Sequence, residues 1–469
     1  MRALGERVCR EAPWVRIPPS PPELPNEYLE VFLFIWYKKC RIYVYDGNTK
    51  NSCDEGCIVV LDKIEVKIDK LVYGGEGLGR LEDGRAIFVP YCLPGEVVRA
   101  TVREGKKHHV KADLDEIVEP SADRIDAKCV HFAECGGCDY QYMDYKKQID
   151  LKKDIFKEQL SRLAKLDDPP IVNMIPSELE WNYADQTVFY LNESNSLSYL
   201  SRTKNALVPI KECHLLDQHL DTIRHSLDMT NSANIERIIL RNGINDQALI
   251  LFEGEDLDIP EMQVDYPVSI VYLNPDGFFV MAGDDHVAIE VLDRQFRITS
   301  PSKFHRNTKQ AAQIVNCVLE NLLVTKKTIL LDLYCGIGLL SSFIAPRVQQ
   351  CVGIEADPSA CLDYAVNLDE FDNVSLYEGQ MDTILPYLQI KPDVVCLAPP
   401  KIGLDKIVVD KILEWKPEQI IYISEDPATF SRDTKKLTQG KYILDKTNLI
   451  DMLPQTYQIV SVNIFTLTK

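Results

Sequence analysis

The sequence predicts a multidomain protein with three folded parts: a small OB-like β-barrel, a central α+β domain that carries a cysteine cluster, and a C-terminal α/β doubly wound domain. Three observations predict this order. Short strands with period-two alternation fill 58–121, closely spaced cysteines open 122–300, and strands alternate with helices in 301–469. The 469 residues are 45% hydrophobic, which is enough to build several packed cores.

The first 57 residues look unlike the rest of the chain. The segment Ile17-Pro-Pro-Ser-Pro-Pro-Glu-Leu-Pro25 can form neither a helix nor a central strand, and periodic apolar patterning begins only near Ile58. We expect an over-extended gene start here, with a short disordered arm as the alternative. The apolar run Val31–Tyr37 is far shorter than the roughly 20 residues of a membrane helix. It also lacks the basic start and cleavage site of a secretory signal.

The barrel prediction rests on alternation and turns. Ile64-Glu-Val-Lys-Ile-Asp-Lys-Leu alternates with period two, Gly74–Gly79 supplies a turn, and Arg85–Pro90 and Glu96–Arg103 follow as strands. This segment resembles the TRAM domain, an RNA-binding barrel. Its basic loop would be Arg103–Lys111, although a solvated charged hairpin is the alternative for so short a run.

The C-terminal region contains a candidate nucleoside site. Asp332-Leu-Tyr-Cys-Gly-Ile-Gly338 closes an apolar strand and opens a helix, so backbone amides can approach a ligand closely. Glu355 ends the next strand, where a carboxylate can bind a ribose diol. Because the glycines do not complete a dinucleotide fingerprint, S-adenosylmethionine is the better candidate. The predicted cofactor-binding residues are Asp332, Tyr334, Gly336, Gly338 and Glu355.

The cysteine cluster predicts an inorganic site. Cys129, Cys135 and Cys138 lie within ten residues, with two glycines that let the backbone wrap a metal centre, and the more distant Cys213 is the candidate fourth ligand. A remote fourth cysteine favours an iron–sulfur cluster. Zinc and plain buried thiols are the alternatives. The other cysteines are mostly scattered singly in apolar stretches, as with Cys317, Cys351, Cys361 and Cys396, which is typical of a reducing compartment and argues against a disulfide framework.

Taken together, these motifs resemble the RNA uracil-carbon-5 methyltransferase family over roughly residues 58 to 469. Its cofactor loop is similar to Asp332–Gly338, and its [4Fe-4S] pattern Cys-x5-Cys-Gly-Gly-Cys with a remote cysteine matches 129, 135, 138 and 213. The resemblance implies a TRAM barrel, a [4Fe-4S] central domain and a class I S-adenosylmethionine-dependent domain. It also implies an RNA substrate, either rRNA or tRNA.

The residues that perform this family's chemistry are replaced here. A cysteine thiolate should add to carbon 6 of uracil and a glutamate should remove the carbon-5 proton, but the two positions hold Glu425 and Val460. Three further pocket motifs differ, and so does the basic motif expected to meet RNA. These four segments read Asp451-Met-Leu-Pro-Gln-Thr-Tyr-Gln458-Ile-Val460, Ala398-Pro-Pro-Lys401-Ile-Gly403, Phe304-His-Arg306-Asn-Thr and Tyr183-Ala-Asp-Gln186.

The sequence therefore predicts a catalytically impaired RNA methyltransferase, with a non-catalytic RNA-binding or protein-partner module as the alternative. Glu425 beside Asp426 could also act as a general base, although two solvated acids are the simpler interpretation. The net charge of −19 disfavours long-range attraction to nucleic acid, so RNA contacts would need local basic patches. We expect a cytoplasmic monomer that binds neither DNA nor a membrane.

Overall fold

The computed structural model describes residues 36–37, 40–41, 63–229, 235–255 and 267–468. Within the first 57 residues it contains one short antiparallel strand pair, β1 (Trp36–Tyr37) and β2 (Cys40–Arg41). The prediction of an over-extended gene start over residues 1–57 otherwise concerns residues outside the described part.

A closed five-stranded barrel follows, with strand order β3-β4-β5-β7-β6. Its strands are β3 (Lys63–Leu71), β4 (Glu76–Arg80), β5 (Ala86–Pro90), β6 (Val97–Gly105) and β7 (His109–Glu119). Along β6 every second side chain is buried, as the period-two pattern predicts; the buried ones are Val98, Ala100 and Val102. The barrel prediction is therefore confirmed.

The central region is built on a seven-stranded sheet with order β11-β10-β9-β12-β13-β14-β15. Neighbouring strands are antiparallel except for the parallel pair β13 and β14. The strands are β9 (Gln186–Leu191), β10 (Leu197–Leu200), β11 (Leu207–Pro209), β12 (Ile235–Asn242), β13 (Ala248–Gly254), β14 (Val268–Asn274) and β15 (Gly277–Ala282). Two helices belong to this part of the chain, α1 (Tyr145–Gln159), which continues as a π-turn over Leu160–Ala164, and α2 (Gln218–Ser226).

The C-terminal region contains an eight-stranded sheet with order β20-β19-β18-β21-β22-β24-β23-β8. Its strands are β8 (Ile171–Ile175), β18 (Ile329–Leu333), β19 (Gln350–Glu355), β20 (Val374–Glu378), β21 (Val394–Leu397), β22 (Gln419–Ser424), β23 (Tyr442–Ile450) and β24 (Val460–Leu467). Helices lie between the strands: α3 (Thr308–Asn321), α4 (Leu339–Ile344) with the 3-10 turn Ala345–Arg347, α5 (Pro358–Asn367), α6 (Met381–Ile384), α7 (Lys406–Trp415) and α8 (Pro427–Gln439). A hairpin, β16 (His286–Val291) and β17 (Arg294–Thr299), precedes α3.

This sheet is mixed, which corrects the prediction of a doubly wound parallel sheet. Strands β18 to β22 are mutually parallel, but β24 runs antiparallel to both β22 and β23. After β22 the chain passes through α8 to β23 and then turns back through the loop 451–459 into β24, which lies between β23 and β22. Strands joined by such a hairpin are antiparallel.

Two segments of the predicted central domain lie with the C-terminal sheet. Strand β8 pairs in parallel with β23, and the aromatic ring of Phe156 in α1 stacks on Phe430 of α8 with centroids 6.0 Å apart. The hairpin β16–β17 also contributes Phe296 and Ile298 to the core beneath the eight-stranded sheet. Segments that precede the predicted boundary at residue 300 thus pack with the C-terminal sheet, while the strands of the central sheet lie between them in the sequence.

Candidate functional site

The candidate cofactor loop lies where the strand order reverses. Strand β18 has β19 on one side and β21 on the other, so a crevice opens at the carboxyl ends of these strands. The loop from Tyr334 to Gly338 follows β18 at this edge and leads directly into α4. The geometry brings the predicted loop residues together with Glu355, which ends β19.

Positive backbone angles shape this loop. Tyr334, Gly336 and Gly338 have φ values of 62°, 54° and 86°. A Cβ atom on Gly338 would lie 2.2 Å from the Leu368 side chain, so only glycine fits there, whereas a Cβ on Gly336 would meet no atom within 4 Å. Gly336 therefore faces open space at the point where a ligand can approach the backbone.

Glu355 closes the loop from the neighbouring strand. One carboxylate oxygen accepts a hydrogen bond from the backbone N–H of Gly336 at 2.9 Å, and the other accepts from Ala356 and Asp357 at 2.7 and 2.9 Å. Three of roughly four acceptor positions are thus filled by the chain itself. The remaining one is available for a hydroxyl donor such as a ribose diol.

Asp332 is a buried carboxylate in the same loop. Ser341 donates a hydrogen bond to its Oδ2 at 2.7 Å, while Oδ1 is buried and has no partner, as is also true of the Tyr334 hydroxyl. Burial raises the pKa of Asp332 to about 7. Buried polar atoms normally have hydrogen-bond partners. Two such atoms without partners, beside a glycine that faces open space, fit a site in which a polar ligand supplies the missing hydrogen bonds.

The family's nucleophile and base positions lie at the adjoining ends of two neighbouring strands. Ser424, the last residue of β22, pairs with Ser461 of β24. Glu425 directly follows Ser424, and Val460 directly precedes Ser461 at the start of β24. Val460 is buried, with 3% of its surface exposed. The site therefore presents a carboxylate where the family has a thiolate, and an apolar side chain where it has a base.

His305 is not among the site residues that the sequence predicts. The predicted motif drew attention to Arg306, but Arg306 donates to the Gln186 carbonyl at 3.1 Å and lines a different cavity. The His305 ring is partly buried: burial lowers the pKa of His305, and the Glu425 carboxylate opposes that shift. Asn307 then caps α3 by accepting from the Gln310 N–H.

Side chains from two parts of the chain meet beside Glu425. Tyr73, from the barrel, donates to the Glu425 carbonyl at 3.5 Å, and its ring packs edge-on against Tyr457 with centroids 5.3 Å apart. Lys401 donates to the Gln458 side chain at 2.8 Å. Two of the altered motifs thus touch, since Lys401 and Gln458 belong to different motifs of the sequence.

The four predicted cysteine ligands line one cavity. Cys129, Cys135, Cys138 and Cys213 surround a space of about 280 Å³, with Arg202 and Arg306 also on its wall. Burial, and then the neighbouring thiols, raise the pKa of Cys138 far above its ordinary value, and burial raises that of Cys135 to about 11. Thiols gathered with cations fit an inorganic group that would bind them as thiolates.

The thiols are separate in this structure. The ten cysteines from Cys92 to Cys396 in the described part are unpaired, and no group of three His, Cys, Asp or Glu side chains in that part is placed to bind a single metal ion. Convergence of the four residues on one cavity is therefore observed, whereas the identity of the group that they would hold is not.

The surfaces expected to meet RNA are less basic than the sequence suggests. In the β6–β7 hairpin, Arg103 pairs with Asp113 at 3.4 Å and Lys106 with Glu104 at 3.0 Å. Tyr183 is buried, and its hydroxyl donates to the Pro454 carbonyl at 2.9 Å.

No helix in the described part of the chain combines the length and apolar character needed to cross a bilayer.

Comparison with known proteins gives the class to which this fold and site belong. The TRAM domain family matches residues 60–114, which form the barrel. The fold is similar to the crystal structure of Pyrococcus abyssi tRNA (uracil-54, C5)-methyltransferase in complex with S-adenosyl-L-homocysteine. The TM-score is 0.66 at 20% identity, covering 86% of this chain and 100% of that one. The chain thus has a methyltransferase fold joined to a TRAM barrel.

Sequence relatives define the family. An uncharacterized RNA methyltransferase of Aquifex aeolicus is 31% identical over 421 residues, which are 85% of this chain and 97% of that protein. Another, of Halalkalibacterium halodurans, is 28% identical over 446 residues, covering 87% and 97%. A third, of Streptomyces coelicolor, is 29% identical over 427 residues, covering 87% and 93%. The chain belongs to this RNA methyltransferase family.

Proposed function

We propose that this protein binds S-adenosylmethionine and RNA on the scaffold of a uracil-carbon-5 methyltransferase, and that its own carbon-5 chemistry is impaired. The observation that carries the proposal is the cofactor loop closed by Glu355, while the adjoining ends of β22 and β24 carry Glu425 and Val460 in place of the family's nucleophile and base. Family membership and the fold support the methyltransferase scaffold.

S-adenosylmethionine supplies a methyl group on a sulfonium, which any sufficiently nucleophilic acceptor can take. The residues that would hold it are Gly336 and Gly338 through the backbone, Glu355 at the ribose, and Asp332 and Tyr334 through their orphaned polar atoms. Uracil carbon 5 becomes nucleophilic only after a thiolate adds to carbon 6. Glu425 does not provide that addition, because a carboxylate is a poor soft nucleophile.

A second acceptor chemistry fits the carboxylate of Glu425 at the family's thiolate position. A nitrogen or oxygen acceptor already carries a lone pair and needs only the loss of a proton, which a carboxylate can accept. Mass spectrometry of nucleosides from RNA incubated with labelled cofactor and protein distinguishes the two acceptors. In the non-catalytic alternative, neither product forms.

Titration calorimetry of S-adenosylmethionine into anaerobically purified protein tests the proposed cofactor site. We expect micromolar binding, which Glu355→Gln weakens about tenfold or more, because the amide keeps the shape of the side chain but loses charge-assisted acceptors. Glu414→Gln, on the exposed face of α7, is the matched control and should bind as the wild type does. No binding by folded wild-type protein would leave the non-catalytic module as the function.

We further propose that Cys129, Cys135, Cys138 and Cys213 hold a [4Fe-4S] cluster, with zinc as the alternative. Their convergence on one cavity and the adjacent arginines support this. Cys138→Ser should abolish at least half of the bound metal in anaerobic preparations, measured by iron, sulfide and zinc assays. Cys317→Ser, which changes a buried thiol of α3 instead, should leave the metal content unchanged. Equal metal in both variants would contradict the assignment.

Restoring the family residues should recover uracil-directed transfer. Glu425→Cys with Val460→Glu rebuilds the nucleophile and base at the adjoining ends of β22 and β24. The new glutamate replaces a buried valine, so we expect a loss of roughly 1–3 kcal/mol in stability alongside the gain in activity. Activity is read as release of tritium from [5-³H]uridine in tRNA or rRNA. A folded variant that binds cofactor and RNA but releases no tritium would disprove an otherwise intact pocket.

A further inference from the structure

The loop 451–459, between β23 and β24, is hydrogen-bonded to the cysteine region as well as to its own sheet. We call it the motif loop, because it ends one residue before Val460 and contains Gln458. The backbone N–H groups of Asp139 and Tyr140 both donate to the Gln455 carbonyl, at 2.8 and 3.0 Å. In return, the Tyr457 N–H donates to the Asp139 carboxylate at 3.2 Å. Asp139 directly follows the predicted ligand Cys138.

Helix α1 reinforces the same contact. The Gln148 side chain donates to the Gln455 side chain at 2.9 Å and accepts from the Gln455 N–H at 3.0 Å, and both residues are buried. Gln455 itself has a φ of 67°, a left-handed conformation that a non-glycine residue keeps only where its surroundings impose it. The motif loop therefore depends on the cysteine region for its conformation.

The other end of the motif loop faces the candidate active site. Tyr457 packs against Tyr73 of the barrel, which contacts Glu425, and Gln458 accepts a hydrogen bond from Lys401. The motif loop thus runs from the cysteine cavity to the acceptor side of the site. A change in the conformation of the Cys135–Cys138 turn would be transmitted through Asp139 to Tyr457.

We propose that Asp139 is a positioning residue that holds the motif loop against the acceptor side of the active site, so that filling the cysteine cavity and ordering this loop are coupled. The proposal rests on the proposed function for the identity of the site. Its physical basis is two backbone hydrogen bonds and one carboxylate bond between the segment 129–140, which bears three of the cysteines, and a loop that bears one of the altered motifs. Coupling of this kind is reciprocal: an ordered motif loop should also retain metal more tightly.

Amide hydrogen exchange of the full-length protein tests this proposal without requiring cofactor, RNA or methyl transfer. We expect the amides of Gln455 and Tyr457 to exchange roughly tenfold or more faster after a chelator removes metal from the wild type. Helix α7, Lys406–Trp415, lies outside the contact and serves as the internal reference. Asp139→Leu should accelerate exchange to a similar extent in the metal-loaded state, whereas Asp139→Asn keeps an acceptor for the Tyr457 N–H and should restore slow exchange.

The metal readout is independent of the exchange readout. The Asp139→Leu protein should release iron or zinc to a chelator several-fold faster than the wild type. The Asp139→Asn protein should release metal at a rate close to that of the wild type. Unchanged loop protection in the stripped wild type, or in metal-loaded Asp139→Leu, would overturn the proposal, as would a wild type that takes up neither iron–sulfur nor zinc. Should Asp139→Leu fail to fold, the stripped and loaded wild type decide the matter alone. Failure of cofactor binding would contradict the proposed function while leaving these results interpretable.

Discussion

Lys152→Met is expected to destabilise the protein by about 3–5 kcal/mol, because it leaves a buried carboxylate without its cation. Lys152 of α1 donates to Asp451 at 2.5 Å and to the Leu453 carbonyl at 3.1 Å, and neither charged side chain is exposed. Burial lowers the pKa of Lys152, and Asp451 opposes that shift. The free energy of unfolding, measured in urea, gives the effect.

Two control variants show that the location of the pair matters. Lys70→Met removes an ion pair of 2.6 Å between Lys70 and Glu158, which is largely exposed, so it should cost less than about 1 kcal/mol. Lys152→Met with Asp451→Leu removes both buried charges and should recover most of the stability lost by the single change. A single variant as stable as Lys70→Met would show that the carboxylate finds another partner or a proton at little cost.

Asp332→Asn is expected to remove a component of the pH dependence of stability. The folded-state pKa of Asp332 is raised from 3.8 to about 7, chiefly by burial, so the folded state keeps a proton that the unfolded chain releases. Stability should therefore fall as pH rises from about 4 to about 7 and level off above that. At about 1.4 kcal/mol per pKa unit, the wild type should lose up to about 4 kcal/mol that the asparagine variant retains.

The companion variant Ser341→Ala should raise the folded-state pKa of Asp332 further. The Ser341 hydroxyl donates to Asp332 and lowers its pKa, so its removal should extend the loss of stability to higher pH. Urea unfolding of the three proteins in cofactor-free buffer at pH 4 to 8 measures both effects. Parallel profiles for wild type and Asp332→Asn would mean that Asp332 is not the titrating group.

Local patterns predicted the barrel and the cofactor loop because both depend on residues close in sequence. Alternation identified β3 and β6, and the glycines at 336 and 338 do lie in left-handed conformations. Asp357 caps α5, because its carboxylate accepts from the Ser359 and Ala360 N–H groups. The buried face of α5 lies against Gly338 and Gly353 of the core through Tyr364.

Features that depend on distant pairing were not predictable. Strand β8 has five residues, and its partner Thr447 of β23 lies far along the chain. The pairing that brings the end of β22, and with it Glu425, beside the start of β24 at Val460 joins residues far apart in the chain, which no motif spacing encodes. His305 was not predicted because the altered motif pointed to Arg306, whose side chain bonds the Gln186 carbonyl.

The position of β8 has a consequence for how the protein is made. During synthesis β8 leaves the ribosome long before β23, the strand with which it pairs. It therefore has no partner strand until the whole central sheet has been synthesised. A C-terminal fragment that begins after residue 300 would likewise present β23 as an unprotected sheet edge, which invites pairing between molecules. Correct assembly therefore requires nearly the complete polypeptide, and chaperones that shield sheet edges should raise its yield in cells.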